Sequence, residues 1–161
     1  MTANANTFTG INQRAVPDLT PQLDQSASSF EGSAIILVVE RDPHIRELES
    51  YFLNEAGFTV DFAADGLDAL ERARELRPDI IITEVLVPKL DGLALCRTVK
   101  TDPDLKHIVM LVFSILAVQS RAQESGADAF LMKPLAEKRL VETVRQLLVM
   151  RRAAGHTGED A

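Results

Sequence analysis

The chain has a single cysteine in 161 residues, so no intramolecular disulfide framework can hold it together. Cys96 shares an apolar helical spacing with Leu93 and Val99, which predicts a buried thiol rather than a reactive one, and such sparing cysteine use suits a reducing cytoplasm. Positive charge is also scarce. Seventeen Lys and Arg face 24 Asp and Glu, for a net charge of −7, which repels a polyphosphate backbone and argues against direct nucleic-acid binding. No apolar run approaches the roughly 20 residues of a membrane span, and the stretch from Met1 to Gly10 lacks the charged and apolar regions of a secretory signal. The three histidines, His44, His107 and His156, fall at a helix start, in a turn and in a tail, and carry no evident chemistry.

What is present is enough apolar residue, 46%, for one domain with a sizeable core. Residues 1–32 are rich in Asn, Thr, Gln, Ser and Pro with isolated apolar residues, and read as a disordered leader rather than a docking motif around Phe8 to Ile11 or Phe30. Residues 33–150 form the domain, and 151–161 read as a flexible tail. Within the domain, strands and helices alternate. Asp42 and Pro43 open a helix whose apolar stripe is Ile45, Leu48, Phe52 and Ala56, ended by Gly57. Phe58 to Phe62 alternates as an outer strand, and Asp65-Gly66 leads into a helix carrying Leu67, Leu70 and Ala73. A strand at Ile80, a helix after Gly92, a strand from Ile108 to Ser114, a helix up to Ser125, a strand at Ala129 to Met132 and a final helix with Leu140, Val144, Leu147 and Leu148 complete five units. Such alternation predicts an α/β fold with right-handed crossovers and a doubly wound sheet.

The runs Ala34–Val39, Ile80–Ile82 and Ala129–Met132 are apolar at successive positions, as in parallel strands buried on both faces. Charged residues follow them: Glu40 and Arg41, then Glu84, then Lys133. In open α/β sheets the functional crevice lies outside the carboxyl ends of the strands. A charge at a strand end is often merely solvated, but Glu84 closes a strand that should be central, so its carboxylate needs a partner. Arg41 is the expected one, since a guanidinium matches a carboxylate in bidentate geometry.

The segments Val38-Val39-Glu40-Arg41-Asp42-Pro43, Pro78-Asp79-Ile80-Ile81-Ile82-Thr83-Glu84, Val87-Pro88-Lys89-Leu90-Asp91-Gly92 and Gly126 to Pro134 resemble, in order and spacing, the receiver (response-regulator) domain of two-component signalling. The resemblance implies a five-stranded parallel sheet of flavodoxin-like, receiver topology in the order 2-1-3-4-5. It places Glu84 at the phosphoacceptor position, Ser114 at the hydroxyl that follows the phosphoryl group, Phe130 at the switch aromatic, and Lys133-Pro134 at a lysine followed by a cis proline. Two residues depart from the pattern. Glutamate replaces the acceptor aspartate, and Arg41 replaces the second acid of the metal-binding pair. Glu40, Arg41, Glu84 and Lys133 sum to zero charge, where three carboxylates and a lysine would be balanced by magnesium. A guanidinium offers donors only, so neither metal nor cofactor is expected.

These features predict an atypical single-domain response regulator, a pseudo-receiver that is not an enzyme and works by phosphorylation-independent protein contact. The partner, a histidine kinase, a downstream regulator or an adaptor, would meet the face made by helix 4, strand 5 and helix 5, which could equally serve as a homodimer contact. Between Ser114 and Lys133 the chain has about three residues fewer than most family members, nearly one helical turn, so this face should be altered. One alternative is a receiver phosphorylated on Glu84 or another acid. Another, of a different class, is a flavodoxin-like cofactor-binding enzyme, disfavoured because Glu40-Arg41-Asp42-Pro43 lacks the glycines and hydroxyls that cradle phosphate.

Overall fold

The structure is a computed structural model that describes residues 34–159; the expected leader, with Phe8 and Phe30, lies outside the described residues. Five strands, β1 (Ile35–Val39), β2 (Thr59–Ala63), β3 (Ile80–Thr83), β4 (Val109–Ser114) and β5 (Ala129–Met132), form one parallel sheet in the order β2-β1-β3-β4-β5. Among the described residues five helices connect or follow them: α1 (Pro43–Glu55), α2 (Gly66–Leu76), α3 (Gly92–Thr101), α4 (Gln119–Glu124) and α5 (Glu137–Glu159). The expected fold and strand order are both present.

The unbroken apolar runs of β1 and β3 have a direct cause, because successive side chains of a strand point to opposite faces and both faces are covered, whereas the run of β5, at the sheet edge, is only half-buried and leaves Met132 47% exposed. Ile36 and Val38 of β1, with Ile80 and Ile82 of β3, pack with Leu53 of α1 and with Leu140, Val144 and Leu148 of α5. Their neighbours Leu37, Val39 and Ile81 pack on the other face with Ala69 and Ala73 of α2 and Leu95, Cys96 and Val99 of α3. Cys96 is fully buried there, and burial pushes its thiol up to about 11, an inert group.

Aspartates cap three of the helices that leave the carboxyl edge of the sheet. Asp42 accepts from the His44 and Ile45 amides at 2.9 and 3.4 Å, Asp65 from Asp68 at 2.7 Å, and Asp91 from Leu93 and Ala94 at 2.9 Å. The loop between β3 and α3 is pressed close at Gly66 and Gly92, where a β-carbon would collide with the carbonyl oxygens of Leu90 and Glu84.

Three expectations change. The stripe Ile45, Leu48, Phe52 does not form the core face of α1: Ile45 and Leu48 are 36% and 53% exposed, while Glu49 and Leu53 are buried. Similarly, α2 buries Ala69 and Ala73 and leaves Leu67 outside. Finally, α5 continues past Met150 to Glu159 where a tail was expected. Arg151 explains part of that extension, since its guanidinium pairs with Asp79 at 2.7 Å and ties the helix to the start of β3, and the Arg-Arg-Ala-Ala sequence that follows favours helix.

Candidate functional site

The carboxyl ends of β1, β3, β4 and β5 converge around the Lys133 ammonium, outside the point where the strand order reverses between β1 and β3. Lys133 Nζ lies 2.6 Å from Glu40 Oε1, 3.4 Å from Glu84 Oε2 and 3.7 Å from Glu49 Oε1, and 5.0 Å from the centre of the Phe113 ring. All three carboxylates are buried, at 3%, 6% and 7% exposure. The second oxygen of Glu40 accepts from the Asp42 amide at 3.0 Å. Glu84 is more heavily engaged. Its Oε1 accepts from the Val85 amide at 2.7 Å and from the Ser114 hydroxyl, and its Oε2 accepts from the Ile115 amide at 3.2 Å. The fully buried Ser114 oxygen in turn accepts from the Leu116 amide at 3.1 Å.

Thus Glu40, Glu84, Ser114 and Lys133 meet as the sequence implied, and the Lys133–Pro134 bond is cis. Arg41 does not join them. It is exposed at a bend after β1 and makes no ion pair with Glu84. The reason is strand geometry: adjacent residues leaving a strand face opposite ways, and Glu40 is turned in to Lys133. Phe130 is half-buried against the small cluster of Val85, Leu93, Val112 and Ala122.

Glu49 was not anticipated. Its signal was its place four residues before Leu53 and seven before Ala56, a spacing that shares a helical face with the core. With it the cluster holds three carboxylates and one ammonium, not the neutral set expected from sequence. Burial, opposed by Lys133 and reinforced by Glu40 and Glu84, pushes Glu49 up to about 7. Burial draws the Lys133 pKa down, but Glu49, Glu40 and Glu84 together outweigh it and hold it above the usual range.

Every carboxylate oxygen of Glu40 and Glu84 already accepts from an amide, a hydroxyl or Lys133, so as arranged they offer no free oxygen to a magnesium ion.

The family model for the response regulator receiver domain matches residues 36–145. The chain belongs to the response regulator receiver family. Among curated relatives of this receiver, Response regulator MprA of Mycobacterium ulcerans is 38% identical over 117 residues, 72% of this chain and 50% of the relative. DNA-binding response regulator MtrA of Mycolicibacterium smegmatis is 34% identical over 113 residues, 70% of this chain and 50% of that protein. The chain spans about half the length of the curated relatives it matches. Of solved structures, the signal receiver domain of a signal transduction histidine kinase from Syntrophus aciditrophicus superposes with a TM-score of 0.69 at 37% identity, covering 73% of this chain and 91% of that one. Chemotaxis response regulator CheY4 of Vibrio cholerae gives 0.67 at 29%, covering 71% and 98%. The receiver therefore sits in a signalling rather than a catalytic family, that of two-component systems. No helix among the described residues is long and apolar enough to cross a membrane.

Proposed function

We propose that this receiver signals by protein contact without being phosphorylated, with Glu84 standing where a phosphorylated aspartate would otherwise act. The observation that carries this reading is the Glu84 carboxylate itself, which holds the Ser114 hydroxyl and lies 3.4 Å from Lys133. In the family pattern those are the hydroxyl and the ammonium that answer the phosphoryl group. A glutamate is one methylene longer than aspartate and carries the negative charge outward to both. The same contacts leave no free oxygen for an incoming phosphoryl donor, and a displacement of about 1 Å at a reacting centre can cost on the order of 100-fold in rate.

The partner face of this reading is α4, β5 and α5, for a kinase, downstream regulator or adaptor, or for a second copy. The exposed side of α5 offers Glu137, Lys138, Glu142 and Arg145, suited to a polar contact. With a net charge of −7, direct nucleic-acid binding is not part of the proposal, although MtrA is described as DNA-binding.

Incubation with acetyl phosphate and magnesium followed by intact-mass measurement tests the reading. The wild-type chain should remain unlabelled, and so should Arg41→Asp, because residue 41 is exposed and faces away from the pocket. Labelling of the wild type that vanishes in Glu84→Gln would instead make Glu84 a genuine acceptor.

A further inference from the structure

Three buried carboxylates share one ammonium at the carboxyl edge of the sheet, and they are not engaged alike. Glu40 accepts from Lys133 at 2.6 Å and from the Asp42 amide at 3.0 Å. Glu84 accepts from the Val85 and Ile115 amides and from the Ser114 hydroxyl, with Lys133 Nζ at 3.4 Å. Glu49 pairs with Lys133 at 3.7 Å, and among the described residues no amide or hydroxyl donates to it. The charges that face Glu49 come from the elements around it: Glu40 from the end of β1, Glu84 from the end of β3, Lys133 from the end of β5, and Glu137 of α5, which lines the same groove. Strand β4 contributes the Phe113 ring and the Ser114 hydroxyl, neither of them charged. On α1 itself, Arg46 is taken by the Glu40 carbonyl oxygen at 3.1 Å and by the Phe62 ring of β2.

The stoichiometry decides where a proton goes. With all three carboxylates ionised against one ammonium, the cluster carries two net negative charges in a buried place, and one bound proton halves that excess. Burial favours the neutral form of a carboxyl, whereas hydrogen bonds from amides and hydroxyls favour the charged form. The proton therefore belongs on Glu49, the member without such donors. Once it is released, the new carboxylate competes for an ammonium that has three donors and stands nearest to Glu40. Glu84 does not follow, because the Val85 and Ile115 amides fix it from β3 and β4.

We infer that Glu49 is a proton-operated positioning residue of this receiver: protonated, it leaves Lys133 to Glu40 and Glu84, and ionised, it draws the ammonium toward α1 and away from Glu84. Acidification therefore favours the Glu84–Lys133 contact, and alkalinisation weakens it. What the exchange conveys rests on the reading of Glu84 as standing in for a phosphorylated aspartate, since Lys133 is one of the two groups that Glu84 engages in that role; the exchange itself does not.

The test titrates the full chain, labelled with ¹³C and ¹⁵N, from acid to alkaline pH in buffer containing EDTA, while Glu49 Cδ, Lys133 Cε and the Ile115 and Leu116 amides are followed. Glu49 should titrate with a midpoint at about 7, and Lys133 and Ile115 should move in one step with the same midpoint. In Glu49→Gln, which keeps a neutral side chain of the same shape, that step should be lost at Lys133 and Ile115, while shifts caused by titration of His44 at the start of α1 persist. If the variant fails to fold, the coincidence of midpoints in the wild type decides. The titration involves no phosphoryl donor, so its failure is distinct from labelling by acetyl phosphate, which would sink the reading of Glu84 instead. Titration of Glu49 in the ordinary carboxylate range, a step at Ile115 that survives Glu49→Gln, or a Glu49 step with Lys133 and Ile115 unmoved, as for a merely structural group, each overturns the proposal.

Discussion

A carboxyl group buried beside two others titrates where a surface glutamate does not. Glu49 rises from 4.5 to about 7 in the folded chain. Between those values the folded state holds a proton that the unfolded state has released, so the contribution of Glu49 to stability is fully present below that window and is lost as pH rises through it. The full excursion amounts to about 3 kcal/mol at 1.36 kcal/mol per pKa unit. Urea midpoints measured across the window should therefore decline toward neutral pH in the wild type and flatten in Glu49→Gln. A flat wild-type profile would place Glu49 outside the cluster. Lys133 is the other critical residue. Removing it as Lys133→Met leaves three buried carboxylates with no cation and should cost about 3–5 kcal/mol, whereas Arg41→Ala should stay within about 0.5 kcal/mol and show no coupling to Glu84→Ala. The contrast marks what was legible. Glu40, Glu84, Ser114 and Lys133 could be read because each closes an apolar strand, and strand ends of a parallel sheet converge. Arg41 could not be placed, because the turn of the backbone after Glu40 decides which side chain faces in, and that turn has no sequence signature of its own.

At the scale of elements, helix phase was the weak point. In α1 two sets of residues share a helical face, Ile45 with Leu48 and Phe52, and Glu49 with Leu53 and Ala56. Hydrophobicity favours the first set as core. The structure turns the second inward, with Glu49 paired to Lys133 and Leu53 joining Ile36 and Phe58 in the main apolar cluster. Helix boundaries were easier, since caps are local. Asp42 both caps α1 and donates its own amide to Glu40, so Asp42→Ala should lower stability by about 1 kcal/mol or somewhat more, as chemical denaturation would reveal. A loss no larger than that of an exposed substitution such as Glu47→Ala would deny the cap its role. The short α4 has no such support. It spans six residues, and its N-cap position, Val118, supplies no side-chain hydrogen bond. Amide hydrogen exchange should accordingly be faster in Gln119–Glu124 than in α3, which is longer, capped by Asp91 and buried along one face.

Across the whole molecule, the question is how the pocket reaches the proposed partner face. A continuous line of contacts exists. Glu84 holds the Ser114 hydroxyl, Ser114 accepts from the Leu116 amide, and Leu116 packs with Val85, Val112, Ala122 and Phe130 in a cluster that underlies α4 and β5. Helix α2 packs instead on Val39, Ile81 and α3, in a different cluster. Physical continuity alone does not establish coupling, but it does say where a disturbance should travel. Ser114→Ala removes the hydroxyl, leaves Glu84 with one donor fewer, and frees the Leu116 amide. Amide chemical shifts should then move at Leu116, through Gln119–Glu124 and at Phe130, while those of Gly66–Leu76 stay in place. If a partner reads the pocket through the proposed α4–β5–α5 face, the same variant should weaken capture of that partner with little change in thermal stability. Shifts confined to residues touching Glu84, with Phe130 and α4 unmoved, would mean that the pocket and the face are independent, and that Glu84 serves only to hold the strand ends together.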